Sequence, residues 1–124
     1  MVKEKQIYES GENYLETILL LKNKKGNVRS VDIVEELGYS KSSVSRAVNI
    51  LKEKNFIQID SGGQINFTEQ GEALAQKTYE KHEVLMIFLQ KLGVEKNIAE
   101  NDACKIEHVL SKQSFEAIKS FIKD

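Results

Sequence analysis

A chain of 124 residues, 40% hydrophobic and 30% charged, is long enough for one ordinary domain, or a small one with an appendage, and has a globular composition. A formal net charge of -1 gives no overall attraction to nucleic acid, so any such affinity must come from local clusters. The single cysteine excludes an intramolecular disulfide framework and fits a reducing compartment, and no apolar run approaches the ~20 residues of a membrane span. Met1–Ser10 is polar and charged, unlike a signal peptide, so a cytoplasmic protein with no membrane partner is expected.

The absence of proline, with many Leu, Ile, Lys and Glu residues, predicts a mainly α chain. A first helix is expected from about Gly11 to Asn23, capped by Ser10, with Tyr14, Leu15, Ile18, Leu19 and Leu21 as its apolar stripe. After a polar loop, Ser30 is the expected cap of a short second helix, Val31–Leu37. Gly38-Tyr39 turns the chain. Ser40 then caps a third helix, Lys41–Lys54, with Tyr39 and Val44 placed as a hydrophobic staple. The period then changes from helical to alternating. Ile57 and Ile59, the turn Ser61-Gly62-Gly63, and Ile65 and Phe67 predict a β-hairpin. Thr68 caps a long helix, Glu69–Leu92, stopped by Gly93. Two further helices are expected, Lys96–Leu110 and Ser114–Lys123.

Three helices followed by a hairpin is the order of a winged helix-turn-helix. The third helix opens with Ser40, Lys41, Ser42, Ser43, Val44, Ser45 and Arg46. Small hydroxyl side chains permit close approach to a major groove, and arginine can bond guanine with both its prongs. Ser40, Lys41, Ser42, Ser43 and Arg46 are therefore the candidate DNA contacts. The hairpin turn would lie as a wing over the backbone, but it carries no cation.

Cys104, Glu107 and His108 stand at i, i+3 and i+4, which on a helix gathers a thiolate, a carboxylate and an imidazole on one face. His82 on the long helix, and Glu16 with Asn13 on the first helix, add further donors. Sulfur and nitrogen donors mixed with carboxylates suit a first-row transition-metal ion better than magnesium or calcium. Each residue has an ordinary alternative: a buried cysteine, a surface histidine, a solvated glutamate.

The sequence resembles the diphtheria toxin repressor and manganese transport regulator family of metal-dependent repressors. The resemblance runs from about Gly11 to Phe121. It is carried by Glu12-Asn13-Tyr14-Leu15-Glu16-Thr17-Ile18, by Ser40 to Arg46, by Thr68-Glu69-Gln70-Gly71, by Lys81-His82-Glu83, and most specifically by Asn101 to Ser111. It implies an N-terminal winged helix-turn-helix (residues 1–70) and a helical dimerisation and metal-binding domain (residues 71–124), in the short two-domain form. By resemblance, His82, Cys104, Glu107 and His108 fall on ligand positions, and Glu16 matches a ligand of the manganese-type members. Asn13, a weak ligand, falls where those members have an acid. Ser40, Ser42 and Arg46 fall on DNA-facing positions. Cys104 is the iron-type residue, Met86 stands where the family usually has a carboxylate, and Glu100 where the iron type has another histidine.

The expected protein is a homodimeric repressor that binds a palindromic operator in double-stranded DNA when loaded with Fe(II) or Mn(II). A metal bridging Glu16 to the other ligands would fix how the two recognition helices are spaced. Leu85, Phe88, Leu89, Phe115, Ile118 and Ile122 are candidates for the dimer interface or for the core of the helical domain. The alternatives are a metal-independent winged-helix regulator of a small organic ligand, a structural zinc protein, and an enzyme with Cys104 as nucleophile and His108 or His82 as base. The last lacks a glycine-rich oxyanion or phosphate loop.

Overall fold

The computed structural model describes residues 2–123, with side chains described from residue 11 onward. Its elements are α1 (Val2–Lys25), α2 (Ser30–Leu37), α3 (Lys41–Glu53), β1 (Ile57–Ile59), β2 (Ile65–Phe67), α4 (Glu69–Lys91), α5 (Lys96–Ile106) and α6 (Lys112–Lys123). The chain divides into two compact units, residues 1–76 and 77–124, and the division falls inside α4.

The N-terminal unit is built around α1. Tyr14, Leu15, Ile18, Leu19 and Leu21 are buried, as their spacing requires, together with Val28, Ile33, Val44, Val48 and Leu51. The helix begins earlier than Ser10, which lies within it rather than at its cap. Val2–Ser10 contains no proline to stop the helix, and glycine at position 11 lowers helix propensity without breaking it. α2 also starts one residue early. Its cap is Arg29, whose backbone N–H donates to Asp32 Oδ2 at 2.8 Å, so the acid at the third helical position does the work assigned to Ser30. Asp32 Oδ1 also accepts from Lys25 Nζ at 2.6 Å.

α3 starts as expected: Ser40 Oγ accepts from the Ser43 N–H at 3.1 Å. Val44 is fully buried, but Tyr39 is half exposed and its ring meets that of Tyr14 at 6.2 Å between centroids. The hairpin is antiparallel, pairing Ile57 with Phe67 and Ile59 with Ile65. Asp60 holds its turn, because Oδ1 accepts from the N–H groups of Gly62 and Gln64, each at 2.9 Å. The Ile65 N–H donates to Val28 O at 2.7 Å, tying the α1–α2 loop to β2. Thr68 caps α4 by accepting from the Gly71 N–H at 3.0 Å, while its hydroxyl donates to Asn55 O at 2.7 Å.

In the C-terminal unit Val84, Leu85, Ala99, Ala103 and Phe115 are buried. Phe88 meets Phe121 edge to face at 6.1 Å, and Lys119 Nζ lies 3.3 Å from Glu80. α5 ends at Ile106, four residues short of the expected Leu110, and Ser111 Oγ accepts from the Ser114 N–H at 3.1 Å to start α6 early. Among the described residues, no helix is long and apolar enough to cross a membrane.

Two outcomes test this architecture. A Cβ at Gly71 would fall inside the carbonyl of Phe56, so Gly71→Ala is expected to cost about 2 kcal/mol or more, read by urea unfolding. The hydrogen bond from Lys25, then that from the Arg29 backbone, holds the Asp32 carboxyl below its ordinary range. Its stabilising effect is therefore present above the ordinary carboxylate pKa and is lost as pH falls through the lowered value. The stability gap between the parent and Asp32→Asn should hold from neutral pH down to about pH 4 and shrink below it, since only the parent has a carboxyl to protonate at this position.

Candidate metal centre and recognition helix

The centre of the C-terminal unit's chemistry is Glu107. It caps α5 with helical backbone angles, its N–H donating to Ala103 O at 3.0 Å. Ala99 and Ala103, small and fully buried, line the face of α5 that leads to it. The Glu107 side chain is 0% exposed, and neither oxygen has a hydrogen-bond partner among the described residues. His82 Nδ1, from α4, stands 3.6 Å from Oε2, and His108 Nε2 stands 3.6 Å from Oε1. Both imidazoles are largely buried.

A separation of 3.6 Å is too long for a good hydrogen bond. It is close to the spacing of donors that share an ion: bonds of about 2.1 Å place tetrahedral neighbours about 3.4 Å apart. A carboxylate buried without donors is costly, and a cation beside it offsets that cost. Glu107, with an imidazole beside each oxygen, thus offers the oxygen and nitrogen donors that a transition-metal ion takes. His82, Glu107 and His108 are brought together. Cys104 is half-buried on α5, one turn before Glu107. Glu107 and His108 do not share an unbroken helix face with it, because α5 ends at Ile106 and His108 lies in the following turn. Glu16 and Asn13 lie on α1 in the N-terminal unit, where Glu16 is a buried carboxylate, 8% exposed.

On α3, Ser40, Lys41, Ser42, Ser43 and Arg46 are all exposed. Ser40 and Ser43 are engaged with each other, the Ser40 hydroxyl donating to Ser43 Oγ at 3.0 Å in addition to the cap bond. That leaves Ser42 and Arg46, at i and i+4, as the outward pair. Ser45 and Asn49 are exposed as well and complete an i, i+3, i+4, i+7 stripe with them. Asn49 is not among the residues expected from the sequence, although its spacing of seven from Ser42 places it on the same face.

A winged helix-turn-helix followed by a helical unit with a carboxylate buried between two imidazoles defines a class, the metal-responsive DNA-binding regulators. The comparisons narrow it. The iron dependent repressor, N-terminal DNA binding domain, matches residues 6–61, and its metal binding and dimerisation domain matches residues 68–124. Transcriptional regulator MntR of Salmonella typhimurium is 34% identical over 120 residues, covering 97% of this chain and 76% of the relative. The HTH-type transcriptional regulator MntR of Lysinibacillus sphaericus is 33% identical, covering 92% and 82%. The solved structure of the manganese regulator SloR superposes with a TM-score of 0.82 at 25% identity, over 91% of this chain and 53% of that one. The chain thus spans about half the length of that structure. It belongs to the iron-dependent repressor family of metal-dependent transcriptional regulators.

Replacing Glu107 by Gln keeps the shape and removes the buried charge. The metal-free variant is expected to melt no lower than the parent, while affinity for Mn(II) or Fe(II) falls by tenfold or more. A variant that melts lower and keeps its metal affinity would show that the carboxylate is a structural ion-pair partner instead.

Proposed function

We propose that the chain is a cytoplasmic, non-enzymatic repressor that binds operator DNA as a homodimer when loaded with Fe(II) or Mn(II), and so governs metal-ion homeostasis. The observation that carries this reading is Glu107, buried without a hydrogen bond and facing an imidazole at each oxygen. Residues 1–70 read DNA and residues 71–124 dimerise and hold the metal.

In this reading His82, Cys104, Glu107 and His108 are ligands, Glu16 joins them from α1, and Asn13 is a weak additional donor. When bound, the ion supplies positive charge and coordinate bonds to these donors. Glu107 presents one oxygen to each imidazole and keeps both rings turned inward. Glu16 commits α1, and with it the DNA-binding unit, to one arrangement. A competent arrangement that is rare without metal becomes common with it, and apparent DNA affinity rises by that change in population. Ser42 and Arg46 make the outward contacts to the major groove. Lys41 lies beside them for phosphate, and Ser40 and Ser43 fix the start of the helix. The Cys104 thiolate is the softest donor of the set and favours Fe(II) over Mn(II) as the resident ion.

The test uses duplexes selected from a random pool by the metal-loaded protein. Binding should rise on adding Fe(II) or Mn(II) and fall with a chelator; a curve indifferent to metal would refute the switch. His108→Ala or Cys104→Ala should abolish the metal response with the fold retained by circular dichroism. Arg46→Ala should weaken DNA binding tenfold or more while leaving metal affinity unchanged.

A further inference from the structure

Residues 1–76 hold ten cations and eleven acids, so the DNA-binding unit has no general attraction for a polyanion. Four of the ten cations lie on or just after α3, at Lys41, Arg46, Lys52 and Lys54, and four more form the densest run. Residues 22–29, the end of α1 and the loop after it, carry Lys22, Lys24, Lys25 and Arg29 and no acid. Lysines in a last turn complement the helix dipole, which is an ordinary reason to find one or two there. Lys25 has a further structural task, its bond to Asp32. Lys24 has no ion-pair or hydrogen-bond partner among the described residues and is exposed.

This stretch is fastened to the hairpin. Val28 O accepts from the Ile65 N–H at 2.7 Å, and Lys22 Nζ donates to Asn66 Oδ1 at 3.2 Å on the exposed side of β2. The hairpin itself, from Ile57 to Phe67, has no cation. Its one acid, Asp60, has Oδ1 occupied by two backbone N–H groups of the turn. A wing of this composition cannot hold a phosphate by charge. The cations beside it can, because Lys22 is already seated on its outer face.

We infer that Lys22 and Lys24 supply the phosphate contacts that the wing lacks, so that the end of α1 and the hairpin together grip the sugar-phosphate backbone of a DNA duplex. This rests on the DNA-binding reading above and adds a second contact surface to the α3 stripe. Such contacts are indifferent to base sequence and release counterions.

The experiment measures binding of the full-length, Mn(II)-loaded protein to a short random-sequence duplex over a range of salt. Lys22→Gln/Lys24→Gln should bind more weakly and flatten the slope of log K against log salt by about 1.8 per protomer, about 0.9 for each lost contact. Lys22→Arg/Lys24→Arg should restore the parent slope, and Lys112→Gln, on α6, should leave it unchanged. An unaltered slope in the double Gln variant, or an equal loss in the α6 control, would overturn the inference. Metal titration of the parent on the same duplex separates the two readings. A slope loss without metal response removes the switch and leaves this surface standing. A metal response without slope loss removes this surface alone, and a parent that binds no duplex at any salt removes both.

Discussion

A buried carboxylate with no hydrogen-bond donor is a group that folding alone does not favour. Glu107 is held in that position by α5, whose small buried residues Ala99 and Ala103 let the helix end lie close to its neighbours. Its oxygens are closed to solvent, and the imidazole nitrogens of His82 and His108 stand 3.6 Å from them, beyond good hydrogen-bond reach. Native interiors rarely leave such a group without a partner, and the exceptions concentrate where an ion or a substrate completes the set. A hydrophobic residue of similar size would pack there at less cost. The retention of a charge is therefore best explained by what binds it.

Within the N-terminal unit, the first helix is linked to the recognition helix. Glu16 lies on α1 two residues after Tyr14. The Tyr14 ring is buried and meets Tyr39, which immediately precedes the Ser40 cap of α3. Burial raises the pKa of the Tyr14 hydroxyl above its ordinary value, and the neighbouring Tyr39 acts in the same direction. The chain that leaves the C-terminal end of α3 is held by Thr68, which follows β2, through the Thr68 N–H to Phe56 O and the Thr68 hydroxyl to Asn55 O. The first helix, the recognition helix and the hairpin are thus joined by short contacts. A constraint on α1 has little slack to cross before it reaches Ser42 and Arg46.

How far the sequence discloses this depends on the range of the interactions. The caps at Ser40 and Thr68 and the alternation of Ile57, Ile59, Ile65 and Phe67 are local signals, and the structure contains the elements they predict. The start of α1 is not legible, because a serine before a glycine imitates a cap while nothing upstream forbids helix. The end of α5 is not legible for the opposite reason. No glycine or proline follows Ile106, and the stop coincides with the packing of Glu107 and the competing cap at Ser111. Sequence spacing alone treated Cys104, Glu107 and His108 as equal neighbours on one face. The fold instead sets Glu107 at the centre of two histidines drawn from different elements, an arrangement that only tertiary packing decides.

The near-neutral charge of the DNA-binding unit bears on how control works. A strongly basic domain binds any duplex appreciably through counterion release, whatever its conformation. A metal that merely rearranged such a domain would alter a small part of a large affinity. With ten cations against eleven acids in residues 1–76, this unit lacks the excess of positive charge that gives a large background of that kind. Its cations act only over about a Debye length, ~8 Å at physiological salt, so they help only when α3 and the hairpin edge both lie against the duplex. Affinity then depends steeply on geometry. Under the proposed function, an ion that selects that geometry governs a larger share of the binding free energy than it would in a basic domain.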